Sequence, residues 1–215
     1  MLDGTHAEVV AAAIMASYNE NIDALVPVQL DACTFALPIL DYDHYEIHAG
    51  SSFHCWYEQT VSDIGDETII AFKTSNTAKY LHMFAHFLST AAAEARLLEA
   101  PTITDNTGAS LAVYNRDRNS AVASGVIDTS QSPDVANQAT YFTEATQGNV
   151  TGGTEITHWH LQADSGNKPA GGEARALNEL MLKPDTLYAF VIESLTDEDN
   201  TCEVRLNWYE HTSKS

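Results

Sequence analysis

The chain has 215 residues, 44% of them hydrophobic, with 10 basic against 30 acidic residues and a formal net charge of −20. This length suits one large all-β domain, or one domain plus an arm, and the apolar share is enough for a core and too high for general disorder. So acidic a surface repels phosphate backbones, which argues against nucleic acid or an anionic membrane as partner and favours solubility, a salty medium or a basic docking surface.

The N-terminal region is the most one-sided: no Lys or Arg occurs before Lys73, whereas twelve Asp or Glu do. The apolar run at residues 7–16 has no Lys or Arg before it, so it does not read as a secretory signal, and it is too short to span a bilayer. Residues 5–20 fit a short, Ala-rich amphipathic helix with Thr5 as its N-cap. Residues 21–40 read as an extended connector, because Pro27 and Pro38 oppose helix. The two pieces form an N-terminal arm, residues 1–40. The next stretch, "DYDHYEIHAG", alternates Tyr42, His44, Glu46 and His48 against Asp43, Tyr45 and Ile47, and predicts a short strand turned by Ala49 and Gly50.

From about residue 51 the pattern becomes a succession of strands. "FHCWYEQT" and "ETIIAFKT" flank the turn residues Asp63, Gly65 and Asp66. "KYLHMFAHFLST" sets Leu81, Met83, Ala85 and Phe87 against His82, Phe84, His86 and Leu88. "AEARLLEAP" stops at a proline, and "YNRDRNS" alternates Arg116 and Arg118 with Asn115, Asp117 and Asn119, predicting a strand with one cationic face. Residues 121–135 read as a surface loop and residues 165–172 as a long loop tip. "ATYFTEAT", "TEITHWHLQA", "LNELMLKP", "DTLYAFVIESL" and "TCEVRLNWYEH" supply the remaining strands. Segments of this length, punctuated by Gly, Asp, Asn and Pro, predict an all-β fold: a jelly-roll-like antiparallel β-sandwich over residues 41–215, preceded by the arm with its short helix.

Cys33, Cys55 and Cys202 are odd in number and form no CxxC pair, so reduced thiols and a cytosolic origin are expected. His158 and His160 share one strand face and, after Gly152, match the start of a cupin metal motif. The carboxylate and third histidine such a site needs do not follow: Asp164 is the nearest carboxylate, and His211 is the only later histidine. Paired surface or interface histidines are the plainer reading. The same holds for His82 and His86, on one face of their strand with Phe84 between them. Asp41, Asp43, His44, Glu46, His48 and His54 could form a His–carboxylate pair, but no nucleophile motif, HExxH or glycine-rich phosphate loop accompanies them. They read instead as polar groups pinning a sandwich edge or an interface. Arg116 and Arg118 suit bidentate ion pairs between subunits.

Three segments in order, "DYDHYEIHAGSSF", "LLEAPTITDNTGASLAVYNRDRNS", and "ELMLKPDTLYAFVIES" with the ending "VRLNWYEH", resemble a family of tailed-bacteriophage virion proteins. The similarity spans roughly residues 36–211. His44, Glu46, His48 and Gly50 fall on the family's opening motif; Glu99, Asn115, Arg116 and Arg118 on its centre; Leu182, Tyr188, Trp208, Tyr209 and Glu210 on its close. The resemblance implies an auxiliary capsid (decoration or cement) protein on the virion surface, non-enzymatic and without cofactor. Its partners would be the major capsid protein and further copies of itself, often as trimers. Asp41, His44, Glu46, His48, Arg116 and Arg118 become the expected interface or arm junction. Two other classes stay open: a cupin-like metal enzyme using His158 and His160 with His82 or His86, and a tail- or fibre-borne carbohydrate-binding protein using Trp56, Trp159 or Tyr209.

Overall fold

A computed structural model of the protein describes residues 28–31, 34–36, 42–103, 108–125, 127, 140–145, 150–161, 170–172 and 179–212. The chain divides into two compact units, residues 1–42 and 43–215. In the first, β1 (Val28–Asp31) and β2 (Thr34–Ala36) pair antiparallel where an extended connector was expected. The helix expected over residues 5–20 lies outside the described residues, as do Cys33 and Asp41.

Next in the chain come α1 (Tyr42–His48), whose first residue closes the first unit, β3 (Ser52–Val61), β4 (Glu67–Lys73), β5 (Lys79–Ser89) and β6 (Ala93–Glu99). The short β7 (Thr102–Ile103), β8 (Gly108–Ser110) and β9 (Tyr114–Asn115) come next, then β10 (Thr140–Ala145) and β11 (Val150–Thr151). The chain continues through β12 (Thr154–Leu161), β13 (Ala170–Gly172), β14 (Leu180–Leu182), β15 (Leu187–Ser194) and β16 (Asn200–Thr212). All pairings among the described residues are antiparallel. Sheet I has the order β12-β6-β15-β4-β10-β8; sheet II has the order β13-β5-β16-β3-β9, with β14 also on β5.

The two sheets pack as a sandwich by turning apolar strand faces toward each other. On β5, Leu81, Met83, Ala85 and Phe87 are buried while His82, Phe84, His86 and Leu88 are half-buried on the opposite side, as the alternation predicts. They meet Ala95 and Leu97 of β6, Ile70 and Phe72 of β4, and Phe190 and Ile192 of β15 in one core. Phe72 stacks on Phe190 with centroids 5.8 Å apart, and Phe53 on Trp208 at 6.0 Å. Truncating any such aromatic to alanine costs about 3–5 kcal/mol.

The central strands of sheet I are buried on both faces. On the outer side Ile69, Ala71, Leu98, Ala189 and Val191 form a second cluster, capped by Ile103 of β7 and Val150 of β11. That cap is held close by the turn after β11: Gly153 has φ +80°, and a Cβ there would lie 2.8 Å from the Glu99 carbonyl and 2.9 Å from Pro101. Only glycine fits so near another backbone at that dihedral.

The expected strand at residues 42–48 is a helix instead. Its end explains why: Ser51 N–H donates to the Glu46 carbonyl (3.0 Å) and Gly50 N–H to that of Ile47 (3.0 Å), with Gly50 at φ +71°. This is a Schellman stop, with glycine in the left-handed conformation as C′. Alternation misled because both alternating sets mix polar and aromatic residues, so neither forms an apolar strand face. Glu46 is nevertheless buried.

Candidate functional site

Five residues of the three ordered motifs act as polar clamps on the β framework. Glu46 accepts a hydrogen bond from Ser51 Oγ, one turn past the end of α1. The neighbouring Ser52 is held by Arg116, whose backbone N–H donates to the Ser52 carbonyl (2.8 Å) and whose Nη1 donates to Ser52 Oγ (3.3 Å). Buried Asn115 donates from Nδ2 to the carbonyls of Gly50 (2.7 Å) and Val122 (3.0 Å), tying the helix stop to the following loop. Glu99 accepts from Tyr188 Oη (2.9 Å) and Lys183 Nζ (2.6 Å), and the Lys183 hydrogen bond leads the effects that hold its carboxyl below the usual range. Burial in turn pushes the Tyr188 phenol up to about 12. Glu210, 2% exposed, accepts from Ser124 Oγ (2.5 Å), Gly125 N–H (2.9 Å) and Trp208 Nε1 (3.2 Å), with Lys79 Nζ at 3.6 Å. Such residues hold loops onto the β framework.

The expected interface residues therefore divide. Glu46 and Arg116 converge on adjacent serines; His48 is exposed; the side chain of His44 and all of Asp41 lie outside the described set. Arg116 and Arg118 do not lie on a strand face as predicted. The strand ends at Asn115, and a turn follows in which Asp117 N–H donates to Asn115 Oδ1 (2.9 Å) and Asn119 N–H to Asp117 Oδ1 (3.0 Å). Side-chain turns of this kind compete with strand pairing, which is why alternation alone misread the segment.

That turn delivers the arginines to the outer face of sheet II. The Arg118 guanidinium lies over the Tyr114 ring at 5.3 Å, and Tyr114 meets His54 with ring centroids 5.7 Å apart. Across the sheet, Trp56 of β3, Arg205 of β16 and His86 of β5 fall in one row. Burial lowers the pKa of His54, and Arg116, Arg118 and Arg205 lower it further. Three of the chain's five arginines thus act electrostatically on one imidazole, two residues along its strand from Trp56 at 50% exposure. Arg205 was not among the residues singled out from sequence; only the register of β16 brings it here.

His82 and His86 point outward from sheet II, but His82 is partnered elsewhere. Its Nε2 lies 2.7 Å from His211 Nε2, its Nδ1 contacts Glu179, and its ring stacks on Tyr209 at 4.6 Å. Tyr209 Oη donates to the same Glu179 oxygen (2.5 Å). His158 and His160 face outward from sheet I, on the opposite side of the sandwich, so the four histidines of the cupin-like reading are not brought together. In their place His158 and His160 meet Glu94 of β6: His158 Nε2 is 3.6 Å from Glu94 Oε2, and His160 Nδ1 is 3.3 Å from Glu94 Oε1. Of the aromatic residues considered for glycan binding, Trp159 turns inward onto Phe87 (4.9 Å) and Tyr209 is 6% exposed beneath His82, leaving Trp56.

Among the described residues no helix is long and apolar enough to cross a membrane. Cys55 and Cys202 are both buried as free thiols whose ionisation burial opposes. Comparison of the chain with family models, curated proteins and solved structures returned no match.

Proposed function

We propose that the protein is a structural virion component of a tailed phage, a capsid decoration protein that docks on the major capsid protein through its N-terminal arm and self-associates through the outer face of sheet II. The observation that carries this reading is the placement on one sheet face of Arg205 opposite Trp56, Arg118 over Tyr114 beside His54, and Arg116 on Ser52, in a chain of net charge −20. A guanidinium-and-aromatic patch has the composition of a protein interface core. The complementary acidic surface is abundant on the chain itself, and its first 42 residues carry no Lys or Arg. Clustering of copies would multiply individually weak arm contacts through effective concentration. The virion-like motifs supply further support, since their residues serve as fold clamps rather than converging on a reacting centre.

The test is a pair of variants assayed on shells stripped of this chain. Deletion of residues 1–40 should abolish shell binding while circular dichroism still reports a folded β body. Retention of full binding by that truncation would sink the arm hypothesis. Replacing Arg116, Arg118 and Arg205 together by glutamate should lower the oligomeric state in sedimentation, and an unchanged oligomer would remove the sheet II face from the reading.

A further inference from the structure

We infer that Glu94, His158 and His160 form a site for one divalent transition cation of zinc-like chemistry on the outer face of sheet I. The three potential ligand atoms lie within 4.8 Å of one another. They come from two paired strands: His160 is opposite Glu94 in the β12–β6 register, and His158 lies two residues away on the same face. The spacing is what the chemistry asks for. Zinc bonds of about 2.0–2.1 Å in a tetrahedral shell place neighbouring ligand atoms about 3.3 Å apart. The two nitrogen–oxygen separations, 3.3 and 3.6 Å, are near that edge length but run to the two different Glu94 oxygens, so a small carboxylate rotation would let one oxygen serve both imidazoles. Both exceed the roughly 2.7–2.9 Å of a close charge-assisted hydrogen bond. The Glu94 carboxylate thus stands between two imidazoles, one oxygen facing each.

Two neighbouring groups adapt the trio to a cation. Glu155 Oε1 lies 3.1 Å from His158 Nδ1, so it can hold the proton on that nitrogen and leave Nε2 as the ligand atom. A carboxylate behind a histidine is the usual second shell of a zinc ligand. Arg96, next to Glu94 on its strand face, is engaged elsewhere: its Nη2 pairs with Glu193 (2.7 Å) and Glu67 (3.0 Å). Glu94 and Glu155 therefore keep a local negative charge that a divalent ion would neutralise. His160 is 68% exposed in its side chain, so the coordination shell opens to solvent and retains a position for water or an outside ligand. Two imidazoles and one carboxylate favour borderline ions such as zinc, cobalt or nickel over calcium or magnesium, which prefer oxygen shells.

This inference stands apart from the virion reading, because the site lies on sheet I and its test needs no shell. Full-length protein, cleared of metal by chelation and dialysis, is titrated with zinc chloride by calorimetry, and with cobalt chloride by visible absorption. We expect one saturating equivalent of zinc and a cobalt spectrum of low coordination number. His160→Ala and Glu94→Gln should each weaken zinc binding by at least about tenfold, and Glu155→Gln by about tenfold. Excess magnesium should not displace the zinc. His82→Ala should bind as wild type does. Circular dichroism confirms that each variant is folded; these exposed or half-exposed positions leave the core intact. Absence of saturable zinc binding would overturn the inference, as would unchanged affinity in both His160→Ala and Glu94→Gln. Loss confined to His82→Ala would place the ion at the His82–His211 pair and overturn it equally.

Discussion

Replacing Glu67 by glutamine should stabilise the protein at alkaline pH, although it removes one half of an ion pair. Glu67 is 3% exposed on the outer face of sheet I, and its Oε1 accepts from Arg96 Nη2 at 3.0 Å. Among the described residues, its second oxygen, Oε2, and Arg96 Nε have no hydrogen-bond partner. Burial is the largest influence on the carboxyl and outweighs the attraction of Arg96, while Glu193 adds repulsion; together they raise the pKa from 4.5 to about 7. The folded state therefore holds a proton that the unfolded state has released between pH 4.5 and about 7. Stability contributed by the protonated form is complete below pH 4.5 and lost as pH rises through about 7. At about 1.4 kcal/mol per tenfold change in proton affinity the rise is worth about 3 kcal/mol, which solvent screening near the sheet surface reduces to about 2 kcal/mol. Glu67→Gln keeps an oxygen for Arg96, which also retains Glu193, and carries no charge to bury. Urea denaturation at pH 4.5 and at pH 8 is the assay. The two proteins should agree within about 0.5 kcal/mol at pH 4.5, and the variant should be about 2 kcal/mol more stable at pH 8. A variant less stable than wild type at pH 8 would show that the Glu67–Arg96 attraction exceeds the burial cost and would refute the reasoning.

Two further outcomes follow from the clamps and the arginine patch. Asn115→Ala leaves the Gly50 and Val122 carbonyls without their donor and should cost about 2–3 kcal/mol in chemical denaturation, whereas exposed Asn119→Ala should cost under about 0.5 kcal/mol. His54 has its pKa lowered from 6.5 by burial and by the three arginines, so the unfolded state binds its proton first as pH falls. Thermal stability should consequently drop below pH 6.5 more steeply in wild type than in His54→Gln; equal slopes in melts at pH 7.5 and 5 would rule out this contribution.

What the sequence determined by itself is the long strands of the body and their inward faces. Alternation of large apolar and polar residues, as on Leu81–Phe87 against His82–Leu88, has one physical solution, a sheet with one buried side, and the accumulation of such segments leaves a sandwich as the way to bury them. The same rule failed at residues 42–48, where no apolar face existed to alternate and a helix closed by Gly50 took its place. It failed again after Asn115, where side-chain turns replaced the expected strand. Only the tertiary structure decided which distant residues meet. Glu94 lies more than sixty positions before His158, and no spacing rule joins them; antiparallel pairing of β6 with β12 does. Arg205 acts on the same His54 as Arg116 and Arg118 because β3 pairs with β16 on one side and with β9, just before the arginine turn, on the other. Side-chain period is local and legible along the chain, whereas register is set by the packing of the whole sheet, and both candidate sites are products of register.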